Sequence, residues 1–293
     1  MSKYIKVFLI IIFQILSLHQ YKRKSFEIFK KNHIPFIESH RGISKEYPEN
    51  TLRAFQKSID YEIDGTELDV WLSKDNVPVV VHGGWKGFLF FYYKNAFGFV
   101  SNYSLKELKE LEVRNGNDKM PTLEEVFKLA KGKLFINIEL KDTRYNILFP
   151  ILVNLIKKYD MFKYISLSSF HHEYANFVAE FNKNNKEKIE FGFLYHKKLI
   201  FDFFRFDVEN TSLNMYYSDV TKERCDKAHK NGMAVIAWFR LNDAENEDIY
   251  KYLFDSGVDC IISNFPKRAK EYRDYYFKKQ EKMSKYYNYF SIK

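Results

Sequence analysis

The chain has 293 residues, of which 46% are hydrophobic, 18% aromatic and 29% charged, and its formal net charge is +9. This composition excludes a disordered or collagen-like chain, the two cysteines exclude a disulfide scaffold, and the lack of an 18-residue apolar run excludes a polytopic membrane protein. The excess of lysine permits binding to an anionic membrane surface or to phosphorylated molecules, but the lysines are scattered and form no nucleic-acid-binding arm.

The first predicted element is the apolar stretch Val7–Leu18, which follows Lys3 and Lys6 and precedes Lys22–Lys24. As a helix it extends only about 18 Å, which is short of a bilayer core of roughly 30 Å. The pattern favours residues 1–24 as a signal peptide or an uncleaved membrane anchor, with a buried N-terminal helix as a third possibility. We therefore expect a membrane-associated protein of the endomembrane or secretory pathway, or a protein secreted after signal cleavage.

Beyond this segment, apolar and β-branched runs alternate with helical patterns. The predicted strands are Pro35–Ser39, Gly65–Leu72, Val77–His82, Leu134–Leu140, Tyr164–Ser168, Ile189–Tyr195, Ser212–Tyr216, Met233–Trp238 and Val258–Ile262. Helical patterns lie between most of these strands, and examples are Thr51–Tyr61, Thr122–Ala130, Asn146–Tyr159, Thr221–Asn231 and Asp243–Asp255. About eight strand–helix units without a glycine-rich dinucleotide motif predict an α/β fold, a (β/α)8 TIM-like barrel over residues 34–280. The residues after Ser284 show no readable pattern.

One short connection predicts a β-hairpin excursion from this barrel. Only Ser73–Asn76 separates the second and third predicted strands, whereas a parallel crossover needs a dozen or more residues. The two strands must therefore be antiparallel, and this pairing brings Asp69 opposite the neighbourhood of His82.

Polar side chains gather at the predicted strand ends, which form the active-site face of a barrel. They are His40 and Arg41, Glu67 and Asp69, His82, and Glu139 with Lys141. Glu67 and Asp69 are two residues apart and point to the same face, and Leu68 and Val70 take the face toward the helices. Unpaired carboxylates inside a barrel are costly, which favours a functional role. An all-oxygen ligand set suits Mg²⁺ or Ca²⁺ better than Zn²⁺.

The ordered motifs of the chain resemble the glycerophosphodiester phosphodiesterase family. They are Ser39-His-Arg-Gly42, Pro48-Glu-Asn-Thr51, Asp64-Gly-Thr-Glu-Leu-Asp-Val70, Val77-Pro-Val-Val-Val-His82, Ile138-Glu-Leu-Lys141 and the later segments Ala237-Trp238 and Gly257–Pro266. The resemblance spans about Ile34 to Ala269 and implies a barrel that hydrolyses phosphodiesters with the help of a metal ion.

Site roles follow from the same resemblance. It implies that His40 and His82 are the acid/base pair, that Glu67, Asp69 and Glu139 are metal ligands, and that Arg41, Lys141 and Trp238 contact the substrate. Two departures stand out. Gly83-Gly84 replaces the aspartate that usually follows the second histidine, and Ser263-Asn264 replaces a Thr-Asp pair near the last strand.

Two aromatic segments bear on the substrate. Trp85–Val100 and Phe201–Phe206 follow strand ends and mix aromatic residues with lysine, which is typical of a bilayer interface; a packed satellite core is the alternative. The interface interpretation favours lysophospholipids and resembles the membrane-anchored, lysophospholipase D-like branch of the family. A catalytically weak, membrane-associated protein that binds phospholipid head groups is the alternative function.

Overall fold

Parallel strands close into an eight-stranded barrel in the computed structural model, which describes residues 34–114, 116–196 and 211–290. The strands are β1 Phe36–His40, β2 Gly65–Leu72, β3 Pro78–Val80, β4 Tyr93–Lys94, β5 Glu112–Val113, β6 Phe135–Leu140, β7 Ile165–Ser169, β8 Phe191–Tyr195, β9 Thr211–Tyr216, β10 Ala234–Trp238 and β11 Cys260–Ser263. β1 pairs with β2, β2 with β6, and parallel pairing continues through β11 back to β1. The predicted TIM-like barrel is confirmed. The segments 1–24 and Phe201–Phe206 lie outside the described residues.

Helices connect most of these strands and cover the outside of the barrel. They are α1 Leu52–Asp60, α2 Leu105–Glu110, α3 Leu123–Ala130, α4 Tyr145–Tyr159, α5 Tyr174–Asn184, α6 Lys222–Lys230, α7 Glu247–Ser256 and α8 Pro266–Phe290. Thr51, Thr122 and Thr221 are N-caps whose hydroxyls accept backbone N–H bonds, which satisfies donors that a helix start leaves unpaired. Three of these helices, α2, α5 and α8, are not among those named from the sequence, and α8 continues past Ser284, where no pattern is readable. Across the described part of the chain, no helix has the length and apolarity needed to cross a membrane.

The alternation of side chains along β2 sets which residues face the barrel interior. Leu68 and Val70 are fully buried in the main core between strands and helices, as predicted. Glu67 and Asp69 consequently point inward. Burying an aliphatic side chain of this size contributes about 1.5–3 kcal/mol, and a one-residue slip would exchange it for a carboxylate. The apolar residues of β2 therefore fix the position of the carboxylates.

The predicted hairpin is also present. β2 and β3 are antiparallel, with Val70 opposite Val80 and Leu72 opposite Pro78. The turn passes through Asn76, which adopts a left-handed conformation. Past the end of β3, the Val81 N–H donates to the Asp69 carbonyl at 3.0 Å. The hairpin therefore delivers His82 to the rim where Asp69 also lies.

Residues 83–121, which we call the rim insertion, connect the hairpin to α3. The insertion contains α2, β4 and β5 and packs around its own small core, which includes Leu89, Tyr93 and Val100. The alternative of a satellite core is thus correct for its interior. Phe90, Phe91 and Phe97 nevertheless remain exposed on its surface.

Candidate active site

The strand ends bring the predicted site residues to one cavity of about 360 Å³. The predicted residues that line it are His40, Arg41, Glu67, His82, Glu139, Lys141 and Trp238. Asp69 is fully buried beside them and forms ion pairs with Arg41 and Lys141. All eight predicted side chains therefore belong to one site.

The loop after β1 explains why a glycine follows His40 and Arg41. Arg41 has a φ of 60°, an unusual value for a residue with a side chain, and its N–H donates to the Glu67 carbonyl at 3.0 Å. At Gly42, φ is 79° and a Cβ would lie 2.7 Å from the Cβ of Ala54. Only glycine fits there, because α1 packs directly against the loop.

The segment before α1 supplies supporting residues that the site prediction did not assign. Glu49 accepts a hydrogen bond from Arg41 Nη1 at 3.0 Å. Asn50 donates to Asp69 Oδ2 at 2.8 Å and accepts from the Asp69 N–H at 3.3 Å. The quoted motif that contains both residues was the available signal. Its geometric purpose is to orient Arg41 and Asp69.

Three carboxylates form a cluster that fits a divalent cation. Ligand oxygens of Glu67, Asp69 and Glu139 all lie within 4.8 Å of one another. Asp69 Oδ1 is buried and, among the described residues, has no hydrogen-bond partner, although Lys141 Nζ lies 3.2 Å away. A hard cation prefers this type of oxygen set. The three residues could therefore hold Mg²⁺ or Ca²⁺.

The charges of this cluster are unbalanced without a cation. Burial, together with the charges of Asp69 and Glu139, raises the pKa of Glu67 well above its usual value. Burial also raises the pKa of Glu139, despite the adjacent Lys141 ammonium at 2.7 Å. Burial acts the same way on Asp69, but Lys141 and Arg41 outweigh it and hold the pKa of that carboxyl low. A bound cation would offset the repulsion among the three carboxylates, which adds to the effect of burial on the pKa values of Glu67 and Glu139.

His40 has a defined partner on Nδ1. That nitrogen lies 2.8 Å from Asn264 Oδ1, and Asn264 Nδ2 donates to the Arg240 carbonyl at 2.7 Å. Nε2 lies 3.9 Å from Glu67 Oε2. Burial and the charge of Arg41 lower the pKa of His40 to about 3, so the ring is neutral at ordinary pH. Asn264 appeared in the sequence only as a departure from the family pattern.

His82 is held from two sides. Its carbonyl accepts a hydrogen bond from Trp71 Nε1 at 3.1 Å, and its Nδ1 lies 2.7 Å from the Tyr92 hydroxyl. Burial lowers the pKa of His82 to about 2. Tyr92 lies in an aromatic run of the rim insertion, and no sequence pattern links it to the histidine.

Apolar side chains form the opposite wall of the cavity. Trp238, which was predicted, packs edge-to-face against Phe170 with ring centroids 5.8 Å apart. Leu194 and Phe239 extend this wall. Arg240 adds a cation at the edge, stacked over Tyr216. The cavity thus joins a charged wall to an apolar wall.

Known proteins are similar to this chain in sequence and in fold. The family model described as the glycerophosphoryl diester phosphodiesterase family matches residues 40–268. A glycerophosphodiester phosphodiesterase from Caldanaerobacter subterraneus subsp. tengcongensis is 31% identical over 242 residues, which cover 78% of this chain and 94% of the relative.

Two solved structures extend the comparison. A provisionally assigned glycerophosphodiester phosphodiesterase from Galdieria sulphuraria superimposes with a TM-score of 0.74 at 29% identity, over 82% of this chain and 98% of the other. A phosphodiesterase from Oleispira antarctica, solved with the product sn-glycerol-3-phosphate, gives a TM-score of 0.71 at 21% identity, over 82% and 97% of the two chains. The chain belongs to the glycerophosphoryl diester phosphodiesterase family and is a phosphoric diester hydrolase.

Proposed function

We propose that the enzyme hydrolyses glycerophosphodiesters, including lysophospholipids, to an alcohol head group and glycerol phosphate or lysophosphatidate. The two-walled cavity carries this proposal. His40, His82 and the neighbouring cations suit a phosphodiester, and the wall that contains Phe170 and Trp238 suits the less polar part of the substrate. The sn-glycerol-3-phosphate bound by the Oleispira antarctica relative has the chemistry of the expected product.

Each residue of the charged wall then has a chemical role. Glu67, Asp69 and Glu139 would hold Mg²⁺ or Ca²⁺, which would act as a Lewis acid on a phosphoryl oxygen. Arg41 and Lys141 bind the phosphate oxygens, because fixed cations stabilise the charge that builds there. One histidine accepts the proton of the nucleophile, and the other donates a proton to the oxygen of the leaving alcohol.

The surface of the rim insertion supports a membrane-bound substrate. Phe90, Phe91 and Phe97 are 43%, 70% and 78% exposed, and the Arg114 guanidinium lies 4.9 Å from the centre of the Phe90 ring. Exposed aromatic rings beside cations suit the interface of an anionic bilayer. Tyr92, the next residue after Phe91, lines the cavity. A lipid held at this surface would have its head group close to the charged wall.

A direct assay tests this function. We expect hydrolysis of both glycerophosphocholine and lysophosphatidylcholine with Mg²⁺ or Ca²⁺, and none in excess chelator. A His40→Ala/His82→Ala variant controls for contaminating hydrolases. Hydrolysis of glycerophosphocholine alone would contradict the lysophospholipid substrate. Binding of the lysophospholipid without hydrolysis would favour the alternative, a head-group-binding protein.

A further inference from the structure

The two cavity histidines have chemically different partners on Nδ1. Asn264 uses its amide nitrogen on the Arg240 carbonyl, so its oxygen faces His40. An amide oxygen can only accept a hydrogen bond, so His40 must carry its proton on Nδ1. In its neutral form, the His40 ring therefore presents a lone pair on Nε2.

The partner of His82 is a hydroxyl, which can also donate. Burial raises the pKa of Tyr92, so the phenol keeps its proton. This phenol proton can be donated to His82 Nδ1, which lies 2.7 Å from the hydroxyl oxygen.

We propose that Tyr92 is a positioning residue that holds neutral His82 in the tautomer protonated on Nε2. His82 then presents its Nε2–H to the substrate, whereas His40 presents the lone pair of its Nε2. The inference rests on the proposed function in one respect, that both rings face a phosphodiester. The lone pair suits the proton of the nucleophile, and the N–H suits the leaving oxygen, where negative charge develops.

The main chain around Tyr92 is rigid enough for this purpose. The Tyr92 N–H donates to the Leu89 carbonyl at 2.9 Å, and the Tyr92 carbonyl accepts from the Arg114 N–H at 2.9 Å. Leu89 and Tyr93 are buried in the core of the insertion. The position directly after His82 cannot provide a substitute, since Gly83 has a φ of 60° and a Cβ there would lie 2.9 Å from the Gly87 Cα.

NMR tests the tautomer independently of activity. We expect long-range ¹H–¹⁵N spectra of the full chain to show the His82 ring, assigned with His82→Gln, protonated on Nε2. In Tyr92→Phe the same ring should shift toward a mixture of tautomers, while the His40 ring should not change. Tyr103→Phe is the matched control, because the Tyr103 hydroxyl donates to the Phe97 carbonyl within the same insertion. Unchanged His82 ring shifts in Tyr92→Phe would overturn the proposal.

Kinetics test the consequence. We expect Tyr92→Phe to lower kcat about 10-fold for glycerophosphocholine with little change in KM, as for loss of one positioned hydrogen bond. The loss should be smaller for a glycerophospho-p-nitrophenyl ester, whose leaving group needs less assistance, and should vanish in a His82→Ala background. Equal losses for both esters, or a loss that persists without His82, would overturn the proposal. If the wild type hydrolyses neither ester, the proposed substrate class is wrong, and the spectra still decide the tautomer.

Discussion

The barrel strands and the rim insertion supply different parts of the same cavity. The strand ends carry Glu67, Asp69 and Glu139, whose positions follow from the register of neighbouring strands, with Asp69 directly beside Glu139. The insertion carries Tyr92 and the exposed phenylalanines, and it packs on a core of its own. The candidate metal ligands thus lie on the barrel strands, whereas the exposed phenylalanines lie on a unit with a core of its own, which can vary without disturbing the strands.

The largest effect should come from the strand-borne carboxylates. We expect Glu67→Gln to reduce hydrolysis about 10³-fold, because it removes one ligand charge from the cluster without changing its shape. Calorimetry should show weaker binding of Mg²⁺ to this variant. Glu112→Gln, which changes an exposed carboxylate of the insertion, is the control and should retain activity. Wild-type activity that survives excess chelator would contradict the metal assignment.

The histidines represent the two regions, since His40 is the last residue of β1 and His82 directly precedes the insertion. His40→Ala and His82→Ala should each lower kcat at least about 10²-fold, within the range for positioned acid/base groups. Steady-state assays on glycerophosphocholine measure both losses. A near-normal rate in His82→Ala would mean that the insertion side of the cavity does not take part in the chemistry.

The exposed face of the insertion should affect the lipid substrate more than the soluble one. We expect a Phe90→Ser/Phe91→Ser/Phe97→Ser variant to lose several-fold in binding to phosphatidylcholine–phosphatidylserine vesicles and in lysophosphatidylcholine turnover, with glycerophosphocholine turnover retained. Tyr93 must be left intact, because it is buried in the core of the insertion. Ile147→Ser/Tyr275→Ser removes exposed apolar side chains from α4 and α8 and should have no such effect. Equal loss on both substrates would contradict the interface.

The smallest effect concerns Glu38, deep in the barrel interior. Burial raises its pKa to about 7, against a weaker opposing hydrogen bond from Asn137 Nδ2 at 3.1 Å. The native state therefore keeps this proton up to a higher pH than the unfolded chain does. The contribution of Glu38 to the unfolding free energy consequently falls as the pH rises from about 4.5 through about 7.

Glu38→Gln should remove that loss. We expect the unfolding free energy of Glu38→Gln, relative to that of the wild type, to increase by at most about 3 kcal/mol between pH 5 and pH 8. Urea denaturation at the two pH values measures it. If this difference does not change with pH, ionisation of Glu38 does not destabilise the folded barrel.

Sequence patterns could predict the strand-borne part of the site because alternation along a strand is a local rule. Once the apolar face of β2 is known, the two-residue spacing places Glu67 and Asp69 on the opposite face. The short turn before Pro78 then places His82 near Asp69. No such rule predicts the contact of Tyr92 with His82. It depends on the path of an irregular segment through left-handed glycines, which no periodicity describes.

Asn264 shows a second reason for incomplete prediction. Its contact with His40 joins residues 224 positions apart and exists only because β11 pairs with β1. The separation of two such residues in the sequence does not predict how close they are in space until the closure of the barrel is known. The family pattern identified the position, and the structure supplied its partner.

The same contact makes activity a late event in folding. A chain emerging from the ribosome would form β1 and β2 early, but His40 would remain without its Asn264 partner until the last strand is inserted. Partly folded or C-terminally shortened chains would thus contain most of the reactive groups and still lack an oriented His40. Hydrolytic activity would therefore report complete closure of the barrel during refolding or translation.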